Sequence, residues 1–138
     1  MKHILICLGL GLLFAQCFGC GPKLPPLGTV HGRVTLDDRP VPNADICFMA
    51  TDGASSFGCT DAEGRYKLSY PLRKGRNAGA MLGTHRVLIN TIRPNDGSLP
   101  EPQIAPIPLP PCYNTQTTLS AEVKPGENEI NFDLKSHP

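Results

Sequence analysis

The chain has no tryptophan, and aromatic residues make up only 6% of its 138 positions. A sugar-binding surface built from exposed rings is left with few candidates, of which Phe57, Tyr70 and Tyr113 are the ones outside the expected core. A dominant charge sign is missing as well, since 13 Lys and Arg stand against 12 Asp and Glu for a net charge of +1. No overall field draws the chain to nucleic acid or to an anionic surface, and the short cluster Arg73-Lys74-Gly75-Arg76 reads as a solvated loop tip. The six cysteines, Cys7, Cys17, Cys20, Cys47, Cys59 and Cys112, show no CxxC spacing beyond Cys17-Phe-Gly-Cys20 at the leader, and Cys47, Cys59 and Cys112 have no histidine close by in sequence. That argues against a structural metal, and no cofactor is expected. Helical periodicity is absent too. What the chain has in excess is proline, 15 residues, roughly twice the usual share, which suits short strands joined by turns and extended loops.

The longest apolar run is Ile4 to Ala15, behind Lys2. It falls short of the roughly 20 residues that span a bilayer, so residues 1–19 read as an export signal removed at maturation. Phe18-Gly19-Cys20-Gly21 then places a small residue before a cysteine, which resembles the lipobox of bacterial lipoproteins, with Cys17 where leucine is usual. The resemblance implies cleavage before Cys20 and a lipid on it, with residues 20–28 as a Pro-rich tether carrying a domain over 29–136.

From residue 29 onward the pattern alternates. Val30, Gly32, Val34 and Leu36 are expected inward, opposite Thr29, His31, Arg33 and Thr35. Ala44, Ile46 and Phe48 continue the inward set on a second strand, a third covers about 56–60, and Asp61-Ala-Glu-Gly64 makes a tight turn into a strand at 65–70 with Tyr66 and Leu68 inward. Residues 71–82 read as a loop. His85, Val87 and Ile89 alternate on a fifth strand, 93–116 has no periodicity and is extended polyproline around 106–111, and two last strands fall at 119–123 and 129–134. Seven short strands and no helix predict a seven-stranded antiparallel β-sandwich.

The runs Val30-His-Gly-Arg-Val-Thr-Leu, Pro40-Val-Pro-Asn-Ala-Asp-Ile-Cys-Phe and Thr60-Asp-Ala-Glu-Gly-Arg-Tyr-Lys-Leu resemble the carboxypeptidase regulatory-like domain, a transthyretin-like (Ig-like) sandwich. Gly83-Thr-His-Arg-Val-Leu-Ile, Pro110-Pro-Cys-Tyr-Asn and Val123-Lys-Pro-Gly-Glu-Asn-Glu-Ile-Asn-Phe-Asp-Leu are similar to small exported lipoproteins of planctomycete-type bacteria. The likeness covers about 29–134. It implies a fold and leaves the task open, because this sandwich serves many.

Candidate chemistry is sparse. The enzyme nearest to this fold, hydroxyisourate hydrolase, needs a first-strand histidine and a Tyr-Arg-Gly-Ser-like C-terminus; His31 matches the first, and the chain ends Leu134-Lys-Ser-His-Pro138. His85 falls in the inward register and reads as a packed histidine, and Asp61 with Glu63 reads as turn capping in preference to a cation site. The seryl residues have no nucleophile-elbow context. If the 51–55 loop centres a hairpin on Gly53, paired residues sum to 106 and Cys47 faces Cys59, within disulfide range, which leaves Cys112 over. The functional expectation is a non-enzymatic module, lipid-anchored at the cell envelope, that binds a partner or serves structurally. Its partners are the membrane, through the N-terminal lipid, and an envelope protein met at a sheet edge or the 94–111 segment. A transthyretin-like small-molecule hydrolase and a carbohydrate-binding module are the alternatives.

Overall fold

The computed structural model describes residues 24–72, 74–92 and 106–138, and among them the chain is all-β, with a single 3-10 turn at Pro111–Tyr113. Residues 1–19, expected to be an export signal, and Cys20 lie outside the described residues.

The long strand β1 (Leu27–Leu36) is the axis of the first sheet. Its alternation buries Val30, Gly32 and Val34 and turns Thr29 and Arg33 to solvent, as the period of two requires. β1 starts two residues before the expected domain boundary. Along one edge it meets β2 (Arg39–Pro40), β5 (Arg65–Lys67) and β8 (Ala80–Met81), all antiparallel. Along the other it meets β11 (Glu127–Glu129) and β12 (Phe132–Leu134), both parallel to it. The expectation of a wholly antiparallel arrangement is therefore corrected at the last strand, which returns beside the first in the same direction.

The second sheet runs β10 (Ser120–Val123), β9 (Gly83–Asn90), β3 (Asp45–Ala50), β4 (Ser56–Cys59), β6 (Ser69–Pro71) and β7 (Arg76–Ala78), antiparallel throughout. The two sheets share one core. Val30, Val34, Phe132 and Leu134 from the first pack with Ile46, Phe48, Val87 and Ile89 from the second. Phe48 and Phe132 meet edge-on across the gap, centroids 6.1 Å apart at 74°. Each such side chain contributes about 1.5–3 kcal/mol of burial.

Each of the seven expected strands has a counterpart, but the described chain holds twelve strands. Two expected strands are split. The 65–70 run changes sheets at Leu68, whose N–H donates to Val30 in the first sheet at 3.0 Å while its carbonyl accepts from Gly79 at 2.9 Å. The C-terminal run breaks at Ile130–Asn131. The remaining additions are β2, closing a tight turn after β1, and β7 and β8, which occupy the expected 71–82 loop.

The β3–β4 hairpin differs in register. Phe48 faces Ser56 and Cys47 faces Phe57, so pairs sum to 104 and the turn centres on Asp52. Thr60 sets this register: its hydroxyl accepts from the Ala44 N–H at 2.8 Å and donates to the Val41 carbonyl at 2.7 Å, while its own N–H donates to the Ala44 carbonyl at 2.9 Å. All three bonds are sheltered from water, where an unmade bond is costly, so sliding the strand by two residues is disfavoured.

Candidate functional site

Three rows of outward side chains form a shallow groove of about 900 Å³ on the solvent face of the first sheet. β1 contributes His31, Arg33 and Thr35; β5 contributes Arg65 and Lys67; the C-terminal strand contributes Glu129, Asn131 and Asp133. Register aligns them in ranks across the sheet. His31 stands between Lys67 and Glu129, and Arg33 is directly opposite Arg65. The Asp61–Gly64 turn closes one end and brings Asp61 and Cys59 to the rim.

The turn is rigidly made. Asp61 Oδ1 accepts from the Glu63 N–H at 3.0 Å and the Arg65 N–H at 2.8 Å. Gly64 takes φ +75°, and a Cβ there would lie 2.5 Å from the Val34 carbonyl. Only glycine fits, as the turn signal predicts. The floor needs a second glycine. A Cβ on Gly32 would stand 1.8 Å from the Ile130 carbonyl, which instead accepts from the Tyr66 hydroxyl at 2.7 Å. Opposite Gly32 the last strand lets a side chain continue the ladder, with Asn131 Oδ1 accepting from the Arg33 N–H at 2.8 Å. Burial pushes the Tyr66 phenol well above its ordinary pKa, so the ring stays neutral beneath the groove.

Most acids of the groove are engaged. Asp133 accepts from Thr35 Oγ1 at 2.8 Å, Glu129 accepts from Asn131 Nδ2 at 3.3 Å, and Glu127 Oε1 stands 3.6 Å from His31 Nδ1. Arg33 donates Nε to the Glu63 carbonyl at 3.0 Å. Among the described residues, no carboxylate lies within ion-pair distance of Arg33, Arg65 or Lys67.

The other candidates are dispersed. Cys47 and Cys59 share the outer face of the second sheet but are offset diagonally, Cys47 facing Phe57 and Cys59 facing Asp45, and no disulfide joins them. The expected pairing is corrected by the Thr60-locked register; diagonal neighbours stand about 7–8 Å apart, beyond the usual disulfide span. Burial raises the Cys47 thiol pKa, opposed by a hydrogen bond with Ser55. His85 is buried as expected, its Nε2 2.8 Å from the Met81 carbonyl and its ring 5.7 Å from Phe48. Of the three aromatic candidates, Tyr70 and Tyr113 are buried and Phe57 alone is exposed. Tyr113 is structural, its hydroxyl accepting from the Lys135 N–H at 2.9 Å. Most of the 94–111 segment lies outside the described residues; at its end Ile107 accepts a hydrogen bond from Thr91, and Leu109 packs on the core. No group of three or more metal-ligating side chains occurs among the described residues.

Sequence reasoning singled out His31 and Asp61 but missed Arg33, Arg65, Lys67, Asn131 and Asp133 as neighbours. Alternation places each on an outward face. Their convergence follows from β1 pairing with strands 32–36 and 98 positions away, which no local pattern announces. No protein-family model, curated protein or solved structure matches the chain.

Proposed function

We propose that this protein is a binding module held at the cell envelope by a lipid on Cys20, its domain a β-sandwich of the transthyretin-like, carboxypeptidase regulatory-like type. Two facing sheets with one core and a first strand beginning seven residues after Cys20 support that reading. The observation that carries the binding role is the groove: a concave sheet face lined by charged and amide side chains rather than the apolar residues of a structural contact. Intact mass and fractionation test the anchor. The wild type is expected in the membrane fraction with an acylated Cys20, and Cys20→Ala in the soluble fraction. A free, unacylated amino terminus near residue 20 overturns it.

A second reading, a small-molecule hydrolase, draws on His31 and Glu127 at 3.6 Å beside two guanidinium groups. A carboxylate that orients an imidazole is a general-base arrangement. Turnover of a hydroxyisourate-type substrate that disappears in His31→Asn favours this reading; equal background rates in both proteins remove it.

A further inference from the structure

Arg33 and Arg65 are direct partners across the β1–β5 pair, both exposed, so two like charges share one cross-strand position. Such a pair opposes strand association unless something neutralises it. Lys67 follows two residues along β5, opposite His31. The carboxylates that line the groove have other partners, Asp61 the backbone of its own turn, Asp133 Thr35 and Glu129 Asn131, and Glu127 beside them stands against His31. With Nε of Arg33 held by the Glu63 carbonyl, its terminal nitrogens remain for a ligand. Among the described residues the groove thus has a cationic side without ion-paired carboxylates and an acceptor wall of Glu129, Asn131 and Asp133; Arg65 and Lys67 on β5 stand two inter-strand spacings from that wall, about 9.5 Å, and Arg33 on β1 stands between them.

We propose that the groove binds a hydroxylated acid of the sugar-acid or sugar-phosphate kind. Its oxyanion sits on the forks of Arg33 and Arg65, with Lys67 alongside, and its hydroxyl groups donate to Glu129, Asn131 and Asp133. Planar guanidinium groups bind carboxylate and phosphate bidentately, and carboxylates accept from sugar hydroxyls. The acceptor wall repels a second anion, which selects a ligand charged at one end. This ligand class deepens the binding reading of the same groove.

The test is thermal unfolding and calorimetric titration of the full chain in detergent with glucuronate, glucose 6-phosphate, inorganic phosphate and glucose, at constant ionic strength. Saturable binding and a rise in Tm are expected with the first two, and binding at least tenfold weaker in Arg65→Gln and Lys67→Gln. Arg65→Gln is expected to fold, because it relieves the like-charge pair. Glucuronate alone assigns a carboxylate ligand and glucose 6-phosphate alone a phosphate. Inorganic phosphate binding as tightly as glucose 6-phosphate overturns the hydroxylated body, and glucose binding as tightly as glucuronate overturns the oxyanion. No saturable binding, or undiminished binding by Arg65→Gln, overturns the site. Cys20→Ala is expected to bind as the wild type does, so a failed anchor and a failed groove give different results.

Discussion

Ser56 Oγ is buried opposite Phe48 and makes no hydrogen bond to the described chain. A buried hydroxyl without a partner carries its desolvation cost uncompensated, so Ser56→Ala is expected to stabilise the domain by about 1 kcal/mol, read as a higher urea midpoint at unchanged slope. Tyr66 is the opposite case, a buried hydroxyl with a partner. Losing its bond to the Ile130 carbonyl in Tyr66→Phe is expected to cost about 1 kcal/mol at neutral pH. At alkaline pH the sign reverses. Burial raises the phenol's pKa in the folded chain, so above the unfolded value of about 10 the unfolded state ionises first and stability falls as pH rises. This one group contributes a slope approaching about 1.4 kcal/mol per pH unit, which Tyr66→Phe lacks. Urea unfolding of both proteins at pH 8 and pH 11 checks it: the gap between them should narrow or invert at the higher pH.

Strand by strand, the faces were legible and the partners were not. Alternation of apolar and polar residues identified the inward sets of β1, β3 and β9 because one face of each is buried in a common core. The β3–β4 register was not legible, since both candidate registers keep Ile46 and Phe48 inward; Thr60, bonded across to Val41 and Ala44, decides between them. The sheet switch at Leu68 was hidden for a related reason, because Tyr66, Leu68 and Tyr70 are all buried and the period runs on unbroken through the crossing. The C-terminal strand is held at its start by Asn128. Its Oδ1 accepts from the Lys124 N–H at 2.9 Å, and its Nδ2 donates to the Lys124 carbonyl at 2.8 Å and the Thr29 carbonyl at 3.2 Å. One amide thus closes the turn and ties it to β1. Asn128→Ala is expected to cost about 1–2 kcal/mol, with hydrogen exchange accelerated first in 124–131.

The whole molecule is closed by its two ends. β1 has strands on both edges, and the groove exists only once the C-terminal strand has docked parallel to it, 98 positions downstream. Contacts of that span form late and slowly, because loop closure precedes the interactions that offset it. The local pattern therefore revealed where His31 and Arg33 point but not the wall of Glu129, Asn131 and Asp133 that faces them. The same geometry makes the last strand indispensable. Phe132 and Leu134 together bury apolar surface equivalent to about 3–6 kcal/mol, and Phe132 also packs on both Phe48 and Tyr66. Against a typical total of about 5–15 kcal/mol, losing them with their ladder to β1 removes much of the stability. It also uncovers backbone groups of β1 that Ile130 and Asn131 now satisfy. Deletion of 127–138 is accordingly expected to abolish cooperative unfolding and amide dispersion in a ¹H–¹⁵N spectrum across both sheets. A truncated chain that keeps the dispersed resonances of β3 and β9 would instead make the second sheet a unit that folds by itself.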